Sequence, residues 1–407
     1  MFKMDMIKLV IKNILRNKKR SFLTSSSLLV AGFVIVALHG YINGVFESSR
    51  NMIIRLDTGH VLICKNEYFE RRSFIPVEEY IENLEEIEKM LTNSKYVDFY
   101  IFRIKLKAFL FTKNEKSKYG IVIGFDPIRE KRAFNIESKI IDGKYDLEKG
   151  AIVGKDLAKV LKLSIYDSLT IITKSSVGGI SAIKVPVVGI VSTGFSNYDR
   201  NLVILSLENA RKLLKIKNGV HEVIVFLKKE SFIPKFLKSI RLPKEISAKS
   251  YLSLLGIWAF YYKFGIIFYS FIYILITLLA AFSIINTMMV AVFERMQEIG
   301  TLKAIGMNDK EIFNIFAMEG TLLGSFGGLL GSLIGFIFNT ILKIKGINFE
   351  EVVKGIEFPY PYIVRPTTSL WIVLFSFFLV TLISFITSIL PALKAKNLTP
   401  QDALKHV

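Results

Sequence analysis

Four long apolar runs constrain the fold of this 407-residue chain more than any other feature. They cover residues 22–46, 264–293, 313–342 and 369–391. A hydrocarbon core of about 30 Å is crossed by roughly 20 helical residues, so each run is long enough to span a membrane. Residues 47–263 instead have the mixed composition of a globular domain. The pattern predicts an α-helical membrane protein with four transmembrane helices and a mixed α/β extracytoplasmic domain inserted between helices 1 and 2.

The charge around the first run predicts the orientation. Seven basic residues precede it: Lys3, Lys8, Lys12, Arg16, Lys18, Lys19 and Arg20. Positive flanks stay in the cytoplasm, so four spans leave both chain termini there. A cleaved signal peptide is the alternative, but its apolar region has about 7–15 residues, and the run here is longer. The remaining predicted parts are a cytoplasmic N-terminal helix (1–21), a cytoplasmic connector (294–312), an outer loop (343–368) and a cytoplasmic tail (392–407).

The N-terminal segment has its own periodicity. Ile7, Val10, Ile11 and Ile14 lie at i, i+3, i+4 and i+7, with lysines on the other face. This spacing is typical of an amphipathic helix in the inner headgroup layer. A plain extension of the first span is the alternative, and the polar residues 17–20 favour a separate helix.

Composition limits the partners of the chain. The formal net charge of +19 is spread along the sequence without a groove-reading motif, so we expect membrane lipids and no nucleic acid. The single cysteine, Cys64, excludes an intramolecular disulfide, and the four scattered histidines predict no metal site.

The third run is rich in glycine at intervals of four residues. Its small-xxx-small pairs are formed by Gly320, Gly324, Gly327, Gly331 and Gly335. Such pairs let helix backbones approach closely in lipid. Packing within one chain and a subunit interface both remain open.

The outer domain shows several local patterns. Residues 76–91 have the periodicity of an amphipathic helix, and 156–163 and 207–214 are predicted to be short helices. Strands are predicted at 168–174, 183–191 and 220–227, the first two joined by a turn at Gly178 and Gly179. Residues 150–155 resemble a phosphate loop but lack its glycine spacing, and favour a turn before a helix. We find no catalytic motif and expect a non-catalytic chain.

The connector at 294–312 carries charges of both signs on short elements. We expect a polar helix that breaks at Gly306, and a new helix beginning near Asp309 with Asn308 as its cap. The apolar Ile299, Leu302 and Ile305 are expected to pack inward. The charged Glu294, Arg295, Glu298 and Lys303 are expected to project into the cytoplasm. Such a segment suits docking on a soluble partner, although an ordinary interspan loop is equally compatible with the residues alone.

This connector resembles the coupling-helix signature of the FtsX/MacB-like family of ABC transporter permeases, approximately E-R-x-x-E-I-G-x-x-[KR]-A-x-G. The matching residues are Glu294, Arg295, Glu298, Ile299, Gly300, Lys303, Ala304 and Gly306, and Gln297 lies among them. Asn43-Gly44 and residues 58–61 resemble the lipoprotein-releasing (LolC/LolE) type of this family. Pro391, Ala392, Ala395 and Leu398, with Pro400, Ala403 and Leu404, resemble the C-terminal ending of the family.

The resemblance implies a mechanotransmissive permease in the cell inner membrane. Its implied partners are a cytoplasmic ATPase dimer, which binds ATP and Mg, a second permease that is either a copy of this chain or a related chain, a lipoprotein substrate and a periplasmic carrier. No cofactor is expected on this chain. A MacB-like efflux permease with a periplasmic adaptor and an FtsX-like permease that controls an extracellular hydrolase remain alternatives.

A lipid-anchored substrate would need an apolar opening towards the outer leaflet. The candidate substrate-facing residues are Val36, His39, Gly40, Asn43, Phe46, Phe260, Phe264, Ile267, Phe268 and Phe271. An aromatic belt at the membrane interface explains the same phenylalanines without any substrate.

Overall fold

The computed structural model describes residues 2–113, 115–353 and 360–399, with side chains described outside 2–7, 257–259 and 261. The chain divides into two compact units. A helical unit comprises Met1–Val45, Tyr261–Ile347 and Val364–Val407, and an outer unit comprises Phe46–Phe260 and Asn348–Ile363. The predicted C-terminal matches at Pro400, Ala403 and Leu404 lie outside the described residues.

The helices are, in chain order, α1 (Phe2–Arg16), α2 (Lys18–Met52), α3 (Asn66–Glu70), α4 (Glu85–Thr92), α5 (Pro127–Ala133), α6 (Lys155–Leu161), α7 (Ser196–Asp199), α8 (Leu207–Leu214), α9 (Ile233–Ser239), α10 (Tyr251–Leu254), α11 (Ile257–Glu294), α12 (Met296–Ala304), α13 (Asp309–Lys345), α14 (Glu350–Val353) and α15 (Leu370–Lys396). A π-helical turn, Ile53–Thr58, follows α2 directly.

The strands are β1 (Val61–Lys65), β2 (Val97–Thr112), β3 (Ser117–Phe125), β4 (Ile140–Gly143), β5 (Ala151–Gly154), β6 (Ser168–Lys174), β7 (Ile180–Val191), β8 (Leu202–Ser206), β9 (Glu222–Leu227), β10 (Ile246–Ser250), β11 (Ile347–Asn348) and β12 (Ile363–Val364).

Among the described residues, four helical segments are long and apolar enough to cross a membrane, which confirms the predicted fold class. They are Lys18–Thr58, Tyr262–Glu294, Asp309–Lys345 and Leu370–Lys396. The first continues well past its apolar run, because α2 ends only at Met52. The N-terminal helix α1 is separated from α2 at Asn17, where the polar residues predict a break.

One row of glycines on α13 lies against α15. A Cβ added at Gly320 would lie 1.9 Å from Ser388 Oγ, and one at Gly324 would lie 2.0 Å from Ser384 Oγ. These separations leave no room for a side chain, so the two helix backbones approach as closely as serine and glycine allow.

A second row of glycines on α13 lies against α2. A Cβ added at Gly331 would lie 2.1 Å from the carbonyl oxygen of Leu29, and Gly327 and Gly335 are similarly close to α2. Helix α13 therefore packs between α2 and α15. Of the two alternatives for the glycines, the geometry is that of packing within one chain.

The outer unit is built on one mixed sheet. Ten of the described strands form it, in the order β10-β1-β9-β2-β3-β8-β5-β7-β4, with β6 paired to both β2 and β7. Most pairs are antiparallel, but β3 pairs with β8 and β5 pairs with β7 in parallel. Helix α8 matches the predicted 207–214, and β6 matches 168–174. The turn between β6 and β7 has Gly178 and Gly179 at positive φ.

Two predictions for this unit are wrong. Residues 76–84 are not helical and only Glu85–Thr92 forms a helix, because Ile81 exchanges backbone hydrogen bonds with Val220. Tertiary pairing therefore overrides the helical periodicity. Residues Ala151–Gly154 form the buried strand β5 rather than a turn, and Lys155 starts α6.

Part of the predicted outer loop belongs to the outer unit. Lys155 Nζ lies 2.6 Å from Glu350 Oε1, and the Tyr362 hydroxyl donates to Asp156 Oδ2 at 2.8 Å. Residues 354–359 of this loop lie outside the described residues.

Candidate functional site

The connector between α11 and α13 forms one short helix, α12, between two backbone breaks. Arg295 leaves the helical conformation at φ −110°, and Gly306 adopts φ +97°, which favours glycine. Asn308 then caps α13 in a capping box with Glu311, whose carboxylate accepts from Asn308 N at 2.9 Å. Strong local signals therefore set both ends of the connector.

A buried carboxylate on α13 holds the base of the connector. Glu319 is only 1% exposed, and its Oε2 lies 3.0 Å from Arg295 Nη1. Its other oxygen lies 3.4 Å from Arg20 Nη2 on α2. The guanidinium of Arg295 also stacks over the ring of Phe316, 5.2 Å from its centroid. The prediction that Arg295 projects into the cytoplasm is wrong, because a buried Glu319 requires a cationic partner.

Further ion pairs extend this contact on both sides. Glu294 Oε2 accepts from Arg20 Nη1 at 2.9 Å, and Glu298 pairs with Arg295 at 3.0 Å and also with Arg16. The result is an alternating chain of six charges, here called the ion-pair chain: Glu294, Arg20, Glu319, Arg295, Glu298 and Arg16. It links α1, α2, the end of α11, α12 and α13.

The pKa of Glu298 reflects this environment. Partial burial alone would raise the pKa of this carboxyl, but hydrogen bonds from Arg295 and Arg16 outweigh it and lower the pKa below its usual value. Glu298 is thus ionised at neutral pH and is held within the ion-pair chain.

Lys303 fastens the other end of α12. Its ammonium donates to the carbonyl oxygen of Lys396 at 2.6 Å, at the end of α15, and lies 2.7 Å from Asp309 Oδ1. Its side chain is only 13% exposed, so the prediction that it projects into the cytoplasm is also wrong.

The outward face of α12 is formed by other residues. Gln297 and Ala304 are exposed together with Gly306, whereas Ile299 and Gly300 are buried. Ile305 is 77% exposed, which contradicts the expectation that it packs inward. Helix α12 ends before Ile305. Ile305 therefore does not share the apolar helix face through which Ile299 packs into the core. An apolar side chain at the tip of a rigidly held segment is suited to insertion into a groove of another protein.

The candidate substrate-facing residues on α2 fall into two groups. Val36 is 1% exposed and packs with Ile372 and Val373, and Gly40 is covered by Asn339 and Thr367. Both are therefore unavailable to a substrate in this structure. His39 and Asn43 are half-buried, and their side chains are hydrogen bonded at 2.7 Å.

The candidates on α11 are exposed. Phe264, Ile267, Phe268 and Phe271 have exposed fractions between 51% and 68%. Phe264 and Phe268 stack with ring centroids 6.4 Å apart. Phe46, which is half-buried, and the exposed Phe260 belong to the outer unit.

Sequence reasoning missed the roles of two arginines. From the sequence, Arg16 and Arg20 count only as part of the positive flank that predicts orientation, yet both pair with carboxylates. A usable signal was Glu319, because an ionisable residue inside a predicted span almost always has a partner.

The structure thus defines a multi-pass membrane protein with an inserted outer domain and a charged connector held by ion pairs. Residues 270–400 match the family described as FtsX-like permease C-terminal. This part of the chain is an FtsX-like permease domain, and the relatives that match the chain more widely are ABC transporter permeases, among them LolC proteins.

Individual relatives match at low identity. The uncharacterized ABC transporter permease MJ1507 of Methanocaldococcus jannaschii is 26% identical over 236 residues, 54% of this chain and 55% of the relative. The chain therefore spans about half the length of that relative. The lipoprotein-releasing system transmembrane protein LolC of Xylella fastidiosa (strain 9a5c) is 22% identical over 324 residues, 72% of this chain and 75% of the relative.

Among solved structures, the periplasmic region of MacB from Actinobacillus actinomycetemcomitans aligns with 52% of this chain and 95% of its own length. The sequence identity is 15% and the TM-score 0.35.

Proposed function

We propose that this chain is the permease subunit of a mechanotransmissive ABC transporter. In this function a separate cytoplasmic ATPase dimer grips α12, and the helices of the permease carry the resulting motion outward. The ATPase binds ATP and Mg and hydrolyses the nucleotide, and this chain contributes no catalytic residue. The observation that carries the proposal is the combination of an exposed Ile305 with a base that is fixed by the ion-pair chain.

The ion-pair chain supplies the mechanical connection that this function requires. A load on α12 reaches α13 through Arg295 and Glu319, and it reaches α2 through Arg20. Helix α2 is 35 residues long without interruption, about 50 Å at 1.5 Å per residue. A stiff helix of this length transmits displacement with little loss, whereas a flexible loop would absorb it.

We further propose that the transported substrate is a lipoprotein, which the permease extracts from the outer leaflet of the inner membrane and passes to a periplasmic carrier. The similarity to LolC, which covers about three quarters of both chains, supports this class. The exposed phenylalanines of α11 offer an apolar surface for acyl chains. The functional unit then contains two permease copies, with all termini in the cytoplasm.

The docking step is tested with a matched pair of substitutions. Ile305→Asp places a charge on the connector tip, and Ile128→Asp places the same charge on an isoleucine of the outer unit that is 85% exposed. We expect Ile305→Asp to weaken co-purification of the ATPase about tenfold or more, since a desolvated apolar anchor is a typical hot spot. Ile128→Asp should bind the ATPase normally. Equal ATPase binding by both variants would remove α12 from the docking surface.

The substrate is tested by photo-crosslinking in native membranes. A crosslinker at Phe264 should capture an acylated lipoprotein and should not capture its unacylated form. A crosslinker at Phe378 of α15, which is 64% exposed, serves as the control for general lipid exposure. Capture of a small molecule or an adaptor instead would favour the efflux alternative, and a bound hydrolase would favour the signalling alternative.

A further inference from the structure

The outer unit contains a pocket of about 440 Å³ beside the end of α2. One wall is formed by Ser48, Asn51 and Met52, which share a helix face at spacings i, i+3 and i+4, and by Arg55 about one turn later. Ser48 follows the first apolar run (22–46) by only two residues in sequence.

The rest of the lining includes a second cation and two hydroxyl groups. Lys139 Nζ lies 4.9 Å from the ring centroid of Phe134, and both residues line the pocket with Ser192 and Thr193. Ser192 Oγ and Thr193 Oγ1 donate to the buried Asp199 at 3.0 and 2.6 Å. Asp199 therefore holds the side chains of Ser192 and Thr193 in place.

The charged side chains that line the pocket carry a net positive charge. Lys155 is paired with Glu350 at 2.6 Å. Within residues 2–113, 115–353 and 360–399, no carboxylate oxygen lies within 4.0 Å of a charged nitrogen of Arg55 or Lys139. Burial lowers the pKa of Lys139, Asp199 raises it, and the nearby Arg55 lowers it further. An anion between Arg55 and Lys139 would relieve this repulsion.

We propose that this pocket binds a phosphate group, carried by a phospholipid headgroup or present as free phosphate. Arginine and lysine together are the usual ligands of phosphate oxygens, and the hydroxyl of Ser48 and the side-chain amide of Asn51 supply further donors. The apolar side chains of Met52, Phe134 and Phe195 complete a surface for the glycerol stem of a lipid. None of the residues that line this pocket belongs to α12 or to the candidate substrate-facing residues.

The test uses the full chain in detergent and isothermal titration calorimetry. Three probes are titrated: dihexanoylphosphatidylglycerol below its micelle concentration, inorganic phosphate, and dihexanoylglycerol, which lacks the phosphate. The variant Arg55→Gln/Lys139→Gln removes both cations, and Lys139→Arg keeps the charge. Lys217→Gln/Lys235→Gln removes two exposed charges elsewhere in the outer unit and is the matched control.

We expect Arg55→Gln/Lys139→Gln to weaken phosphatidylglycerol binding about tenfold or more, because two charge-assisted contacts are lost. The matched control and Lys139→Arg should bind as the unmodified chain does, and thermal unfolding reports whether each variant is folded. Binding of phosphatidylglycerol without competition by phosphate identifies a lipid headgroup, and comparable binding of phosphate identifies the free anion. Equal binding of dihexanoylglycerol, or unchanged binding in a folded Arg55→Gln/Lys139→Gln variant, would overturn the proposal.

Discussion

Replacing Glu319 with glutamine tests the centre of the ion-pair chain. The substitution keeps the shape of the side chain but removes the negative charge between Arg20 and Arg295. Glu319 lies ten residues into α13, about 15 Å from the start of that helix, where neither arginine can easily reach water. Glu319→Gln therefore leaves two largely buried cations facing a neutral amide, and each keeps only its more exposed partner, Glu294 for Arg20 and Glu298 for Arg295.

The expected cost follows from burial. The side chains of Glu319, Arg295 and Arg20 are 1%, 8% and 14% exposed. Removing one partner of a buried ion pair costs about 3–5 kcal/mol. The retained amide oxygen and the remaining partners Glu294 and Glu298 favour the lower end of this range. Glu298, by contrast, is 45% exposed, so Glu298→Gln should cost only about 0.2–1 kcal/mol.

The free energy of unfolding can be measured for the full chain in mixed dodecylmaltoside and dodecylsulfate micelles. Glu319→Gln should shift the unfolding midpoint to a clearly lower dodecylsulfate fraction than Glu298→Gln. A double-mutant cycle with Arg295→Gln isolates the pair, and we expect a coupling energy of about 2 kcal/mol, within the range found for residues in one salt-bridge network.

Equal unfolding midpoints for Glu319→Gln and Glu298→Gln would refute this reasoning. So would a coupling energy near zero, because Arg295 and Glu319 would then contribute independently. The ion-pair chain could not in that case hold α12 against α13 and α2, and the mechanical part of the proposed function would lose its basis.

Two further predictions concern packing and pH. Gly324→Leu should destabilise the helical unit by about 1–3 kcal/mol in the same micelle assay, because its Cβ would lie 2.0 Å from Ser384 Oγ; wild-type stability would show that α13 and α15 do not pack as described. Burial raises the pKa of Asp199 to about 6, although hydrogen bonds from Thr193 and Ser192 oppose the shift. The folded state therefore binds the proton more tightly than the unfolded state does. As pH rises from about 4 to about 6, the contribution of Asp199 to the free energy of unfolding falls. Over that interval the stability of Asp199→Asn relative to the unmodified chain, from urea unfolding, should rise by about 3 kcal/mol, and a pH-independent difference would contradict the raised pKa.

The parts of the fold that local signals encode were predictable. Apolar length alone gives the four spans, and Gly306 with Asn308 marks the end of one helix and the start of the next. Helix α8 and strand β6 follow from periodicity over a few residues. In each case the determining interactions lie within one or two turns of the chain.

Pairing between distant segments was not predictable in the same way. The strand β2 covers Val97–Thr112 and acquires its partners from β3, β6 and β9, so its length depends on residues far along the chain. Residues 76–84 have helical periodicity but are held extended by Val220. A single sequence does not show whether a segment with helical periodicity will instead form backbone hydrogen bonds with a distant strand.

The connector shows how such a distant pairing changes a functional assignment. The sequence places a carboxylate, Glu319, inside a membrane span, and physical chemistry requires a cation for it without choosing among the many basic residues nearby. In the structure the cationic partners of Glu319 are Arg295, 24 residues away in sequence, and Arg20, 299 residues away. Arg295 is therefore already paired within the chain. Lys303 likewise donates to the carbonyl oxygen of Lys396 and pairs with Asp309. The charged residues Arg295 and Lys303 of the motif thus fix α12 in place. Under the proposed function, contact with an ATPase would then be made by the exposed residues around Ile305.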